Sequence, residues 1–527
     1  MYPGTSRPML IGLILVLSAS SLPGAQEPAA APSTLPQSQP ATQESRPRSL
    51  LLYLEDGLGA AEVPAYGYPQ MTTPNLVLLM EEGVTYLSEY SVSPWTIPAT
   101  ASLLTSLYPS AHGAQKAGDR LPASARTLAE VLKENGYETA LFSSHPLIGS
   151  LSGMAQGFDR VEEVPGPFYP APSRGPAETS AALNRQILAW LDKRSSRSPT
   201  FIVAVSSDPL EPYGVPDPEG SRFIEAKELA WYREIRGKLL GMRPGPLSLG
   251  TAEDLKQLKV DASRFARAAR QVYDGAIYHN DWQIRSLKNE LGSRGLWNNT
   301  LFVFTSTHGE EFLEHGLFGH GSSLYDSTLR VPVVLTGPGL ILRANQIRKM
   351  IDSVDLMPTL LGLLQIPIPD GVQGIQRSVL ANEMEPARSG RPAFAEAQPA
   401  GDLPTGVMSM VAEEEVKLVV YDKIPAGSGR REVELFRWIR ASEDWEKRNW
   451  AASAPEILSA EREVLDDWRQ GKGTLQLAPD PEPATARGPR LKEVLHSLGY
   501  LQGIEPLKIP ARPKKEAAPG TVSRPPS

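Results

Sequence analysis

Short apolar runs alternate along the chain with segments of helical period. "SLLLYLED" (Ser49 to Asp56), "YETALFSS", "TFIVAVSS" and "TLFVFTS" are strand-length runs that end in polar residues. Between them, "TTPNLVLLMEEG" reads as a helix with Thr73 as N-cap, Pro74 at its first position and Gly83 as its stop. Further helices are expected at about Arg126 to Asn135, at Ala177 to Leu191 and from Arg264 to about Arg294, with a more irregular stretch from Pro212 to about Val260. Strands that alternate with helices and read as unbroken apolar runs predict an α/β fold, with a mainly parallel sheet covered on both faces. Functional groups then belong at the carboxyl ends of the strands. Glu55 and Asp56, Asp208 and His308 lie at such ends.

A fifth candidate is Thr96, in "SPWTIPATASLLTSLYP". Pro98 suits the first turn of a helix running to about Ser106, which puts Thr96 just before its N-terminus, where backbone N–H groups and the helix dipole attract anions. The residue reads either as a nucleophile towards a phosphoryl or sulfuryl group, activated by a metal or a base, or simply as an N-cap.

Composition changes this picture in only a few places. At 527 residues the chain can bury a large core, and its net charge of -7 argues against a broad phosphate-binding surface for nucleic acid. The absence of cysteine excludes disulfides, thiolate metal sites and cysteine nucleophiles. Arg7 precedes the apolar run "MLIGLILVLSASSL", which is short for a membrane span and reads as an export signal cut after Ala25, an uncleaved anchor being the alternative. Residues 26–48 and 509–527 have the composition of disordered segments.

The segments "AYGYPQMTTPNLVLLMEEGVTY", "TIPATASLLTSLYPSAHG", "DPLEPY", "YDGAIYHNDWQI", "NNTLFVFTSTHGEEFLEHGLFGHGSSLYDSTLRVPVVLTGPG", "SVDLMPTLLGLLQIPIPDGVQG" and "LHSLGYL" occur in an order and spacing that resemble the sulfatase branch of the alkaline phosphatase superfamily. The resemblance implies a mixed, mostly parallel sheet between helices over residues 49–390, and a smaller α+β subdomain over 391–508. In that subdomain "EVKLVVYDK" and "REVELFRWI" read as antiparallel strands.

It also implies one divalent metal ion (Ca, Mg, Mn or Zn) beside the nucleophile. Asp56 matches the first acidic ligand, while the second falls on Gly57; a slip of one residue would make Glu55 and Asp56 the pair. His308 matches its counterpart, but Thr307 stands where such proteins carry aspartate, which removes a full charge and an oxygen ligand. The nucleophile pattern reads Thr96, Ile97, Pro98, Ala99, Thr100 instead of Cys/Ser-x-Pro-x-Arg, so no formylglycine is expected, although related phosphodiesterases and phosphonate hydrolases use threonine. Asp208 matches a residue of the substrate site, with Leu210 where a histidine is usual. His145 is a shifted substitute for a lysine, and His320 matches a side chain that touches the ester oxygens. His112 is expected to pack against a helix end. Glu310, Glu311 and Glu314 read as a solvated loop face or as a source of the carboxylate missing at Thr307.

Two readings follow. One is an exported metal-dependent hydrolase or transferase of phosphate- or sulfate-type esters, with Asp56, His308 and Glu55 on the metal, Thr96 as nucleophile and His320 at the leaving group. The other is a catalytically degenerate member that serves as a scaffold or binds an anionic ligand, a glycan or an envelope lipid.

Overall fold

The computed structural model describes residues 49–497 apart from 117, 167–178, 243–250, 322, 339–345, 378–390, 398–404, 412–415, 424–430, 438–444, 473–475 and 479–488. The expected signal, linker and tail lie outside the described residues.

An eight-stranded sheet forms the centre. Its strands are β1 (Ser49–Glu55), β2 (Val84–Tyr90), β3 (Glu138–Ser143), β4 (Arg160–Glu163), β5 (Thr200–Ser206) and β6 (Thr300–Ser306), with two later ones beyond the short hairpin β7 (Glu311–Phe312) and β8 (Phe318–Gly319). These are β9 (Arg330–Thr336) and β10 (Gln346–Asp352), and the order across the sheet is β10-β2-β9-β6-β1-β5-β3-β4. β9 runs antiparallel to both β2 and β6, while the remaining neighbours pair in parallel, as expected for a mixed, mostly parallel sheet. Alternate residues of β1 feed opposite cores. Leu50, Leu52 and Leu54 pack on one side, Leu51 and Tyr53 on the other.

The helices in chain order are α1 (Pro74–Glu82), α2 (Thr96–Thr105), α3 (Pro109–His112), α4 (Leu128–Glu134), α5 (Thr179–Lys193), α6 (Ala226–Met242), α7 (Ala252–Gln257) and α8 (Ala262–Ser293), then α9 (Asp326–Leu329), α10 (Leu356–Leu364), α11 (Pro455–Lys472) and α12 (Pro489–Ser497). Apolar residues of α2, α4, α10 and α12 cover the Leu52 side, and those of α1, α5, α6 and α8 cover the Tyr53 side.

Two local expectations change. Thr73 holds the N-cap position of α1 but makes no side-chain cap bond. Asp281 of α8 does that work instead, accepting the N–H groups of Asn75 at 2.9 Å and Leu76 at 2.7 Å. The stretch 212–260, expected to be irregular, contains the 17-residue α6. Leu229, Tyr232, Ile235 and Leu239 are its buried face, at spacings a helix requires.

After the main sheet, β11 (Ala393–Ala397), β12 (Thr405–Val411), β13 (Val416–Lys423) and β14 (Val433–Arg437) form an antiparallel four-stranded sheet in that order. The two segments read as antiparallel strands are β13 and β14. Two ion clusters stand where this part meets the first. Arg391 bonds Asp352 at 2.9 Å and Asp355 at 2.6 Å, and the fully buried Lys417 bonds Asp326 at 3.1 Å and Glu446 at 2.6 Å.

Candidate active site

Three polar side chains distant in sequence meet at the carboxyl edge of the central strands. Asp56 follows β1, His308 follows β6, and Thr96 is the first residue of α2. The N-cap of α2 is Trp95, so capping does not account for Thr96. The Thr96 hydroxyl lies 3.1 and 3.2 Å from the two Asp56 carboxylate oxygens and 3.2 Å from Nε2 of His308. Asp56 Oδ1 is 3.4 Å from the same nitrogen. Thr307, the residue before His308, donates its hydroxyl to Asp56 in a short hydrogen bond.

Burial sets the protonation states. Asp56 is fully buried and pushed up to about 7 by desolvation, against the pull of the Thr307 and Thr96 hydroxyls, with the Glu310 charge adding to the rise. Burial, and the neighbouring His320, hold His308 well below the usual imidazole range. Its Nδ1 faces the Gly309 carbonyl at 2.8 Å, so Nδ1 carries the proton and Nε2 offers a lone pair to Thr96. The His320 ring stacks on His308 with centroids 4.3 Å apart, and its Nδ1 lies 3.2 Å from Glu310. Burial lowers His320 to about 4, and lowers His145 to about 3 with help from His308 and His320.

The other expected site residues have hydrogen-bond partners of their own. Glu55 shares the α8-facing side of β1 with Tyr53, whose hydroxyl donates to Asn280 of α8 at 2.7 Å, and one Glu55 oxygen has no partner. The Asp208 carboxylate accepts the backbone N–H and hydroxyl groups of Thr179 and Ser180, so it caps the start of α5 and is not in contact with Thr96. His145 accepts the Leu147 N–H at 3.2 Å through Nδ1. His112 pairs with Ser102 at 3.0 Å, which is the helix packing expected of it.

Glu310 and Glu311 are not a solvated face. Both are fully buried, Glu310 against His320, and Glu311 accepting the Ser323 hydroxyl at 2.9 Å and the His315 N–H at 3.0 Å. Burial raises Glu310 well above the carboxylate range, against a hydrogen bond from Tyr213. Nothing in a loop with three glutamates announces this; the partners lie across the fold.

The donor set does not fit a hard divalent cation. One carboxylate, one imidazole and two hydroxyls converge; the carboxylate accepts the Thr307 hydroxyl and competes with Nε2 of His308 for the single Thr96 proton. Among the described residues no group of three or more His, Asp or Glu is placed to hold a metal ion. Packing closes the remaining space. Gly57 has φ +93°, and a Cβ built there would lie 2.7 Å from Cδ2 of Leu210. A side chain at position 57, where the resemblance puts the second acid, would meet this methyl group.

A mixed, mostly parallel sheet between helices, with a hydroxyl, an acid and an imidazole at its carboxyl edge, defines an α/β protein of the alkaline phosphatase type. The chain belongs to the sulfatase family, whose model matches residues 48–366. It is 26% identical over 65% of its length to an ulvan-active sulfatase of Formosa agariphila and 25% identical over 62% to human arylsulfatase A, spanning 66% of each relative. Among solved structures, a phosphonate monoester hydrolase of Agrobacterium radiobacter superposes with TM-score 0.64 at 21% identity, covering 81% of this chain and 96% of that one. A protein in complex with its substrate D-glucosamine-2-N,6-O-disulfate superposes with TM-score 0.65 at 18% identity, over 83% and 99% of the two chains. These structures establish the fold.

Proposed function

We propose that this sulfatase-family chain binds an anionic ester, a sulfate monoester, at Thr96 and has lost its hydrolysis. The observation that carries the reading is the donor set around Asp56, one imidazole and two hydroxyls with no further carboxylate among the described residues, beside which a side chain added at position 57 would run into Leu210. The Asp56 charge is met by hydroxyls and an imidazole, with no arginine or lysine paired to it among the described residues. Transfer of a phosphoryl or sulfuryl group depends on neutralising charge, so a centre without cations loses most of its rate. Binding is less demanding. A sulfate monoester carries one negative charge and is satisfied by neutral donors, here the Thr96 hydroxyl and the first-turn N–H groups of α2. The sulfated glucosamine bound by one structural neighbour is a ligand of this chemistry.

The reading is tested by titrating 4-nitrophenyl sulfate into the full chain in a calorimeter while following nitrophenol release, with and without Mg²⁺, Ca²⁺, Mn²⁺ and Zn²⁺. Saturable binding without release is expected in every condition. Metal-dependent release that disappears in Thr96→Ala would overturn it in favour of a second reading: an ester hydrolase or transferase with Thr96 as nucleophile, Asp56 and His308 beside it, and His320 at the leaving group. The convergence of Thr96, Asp56 and His308 favours that alternative. We also infer export, from the apolar N-terminal run. A mature N-terminus at Gln26 is expected on sequencing the secreted protein, and retention of Met1 in a cytoplasmic fraction would refute it. No described helix is long and apolar enough to cross a membrane.

A further inference from the structure

We propose that Thr96 and His308 form a metal-free acyl-transfer pair that hydrolyses neutral carboxylic esters. The proposal uses the same Thr96 site but requires neither sulfate binding nor a cation, so the two can fail separately.

The geometry is that of a hydroxyl nucleophile with its base. Thr96 Oγ1 lies 3.2 Å from Nε2 of His308, within reach for proton transfer. The opposite ring nitrogen is 2.8 Å from the Gly309 carbonyl, which fixes the tautomer with its lone pair towards the hydroxyl. Stacking on His320 at 4.3 Å fixes the ring plane. Asp56 Oδ1, 3.4 Å from Nε2, places an acid beside any imidazolium formed there. Thr96 opens a ten-residue helix in which Pro98 has no N–H and the Ala99 N–H donates to the Trp95 carbonyl at 3.3 Å, which leaves the backbone N–H groups of Thr96 and Ile97 at the helix start as donors for an oxyanion. One turn further on, the Thr100 hydroxyl is fully buried and has no hydrogen-bond partner. The features that weaken this centre for a charged ester do not count against a neutral one. An acyl carbon needs a nucleophile, a base and donors for one oxyanion; no cation is called for.

The steps balance without any co-reactant but water. The Thr96 oxygen bonds to the acyl carbon while its proton passes to Nε2 of His308. The carbon–oxygen bond to the alcohol then breaks, and the alcohol leaves with that proton. Water attacks the acyl-threonine, giving its proton to Nε2, and the Thr96 oxygen recovers a proton as the carboxylic acid departs.

The test incubates the full chain with 4-nitrophenyl acetate and 4-nitrophenyl butyrate in excess EDTA, with mass spectrometry of the quenched protein. Nitrophenol release above the free-imidazole background, insensitive to EDTA, is expected, with the acetyl group mapped to Thr96. Thr96→Val and His308→Gln should each lower the rate by about a hundredfold, and Thr96→Ser should retain it, all three melting as cooperatively as the parent. No release above background, release unchanged in Thr96→Val, or acetyl on another residue would overturn the proposal.

Discussion

Buried acids are treated in opposite ways at two places in this molecule. Where the second sheet meets the first, each cluster of carboxylates holds a cation: Arg391 spans Asp352 and Asp355, Arg377 bonds Asp355 at 2.8 Å, and Lys417 sits between Asp326 and Glu446. At the carboxyl edge of the main sheet, Asp56 and Glu310 are as deeply buried, yet hydroxyls, imidazoles and burial itself are their surroundings. The first arrangement keeps its charges because both signs are present. Burial still raises Asp352 to about 6 and Glu446 to about 7 there, against the pull of Arg391 and Lys417; in the second only hydrogen bonds oppose burial, and Asp56 rises to about 7 and Glu310 well above the carboxylate range. An ion-holding centre and an ion-free one can therefore share one fold, and the count of facing cations separates them.

The contrast can be broken hardest at the joint. Lys417→Met leaves Asp326 and Glu446 facing each other without a cation and should cost about 3–5 kcal/mol in a denaturant titration. A loss below about 1 kcal/mol would show that the joint is not held by charge. At the edge, Gly57→Asp should cost about 1–3 kcal/mol, from a positive φ and the clash with Leu210. In combination with Leu210→Ala the loss should be smaller than the two single losses summed. Additive losses would mean that the two positions do not share space. A third effect is spread over pH and concerns Glu62, which burial raises to about 8 despite Arg270. The folded chain then holds a proton that the unfolded chain releases near pH 4.5, so this contribution to stability is present below that pH and disappears as pH climbs to about 8. Stability should fall across that window, and Glu62→Gln should flatten the slope by up to about 1.4 kcal/mol per pH unit. An unaltered slope would show that Glu62 ionises normally.

Much of the frame was legible in the chain. β1, β3, β5 and β6 coincide with apolar runs because a strand covered on both faces has no polar alternation to confuse it. Asp56, Thr96 and His308 could be placed together because strand ends and a helix start are local features. What escaped depended on distant partners. Asp208 looks the same whether it faces a substrate or Thr179 and Ser180, twenty-nine and twenty-eight residues away. Glu310 reads as a loop acid until Tyr213 and His320 close over it. The α6 helix was a different case: Leu229, Tyr232, Ile235 and Leu239 carry its period, and the proline-rich residues before it obscured the signal.

The contact between residue 57 and Leu210 also bears on reversibility. Restoring a carboxylate at 57 alone drives it into a leucine, and shortening residue 210 alone opens a void beside a glycine. Neither step is neutral by itself, so a carboxylate at 57 and a smaller residue at 210 would have to arrive together.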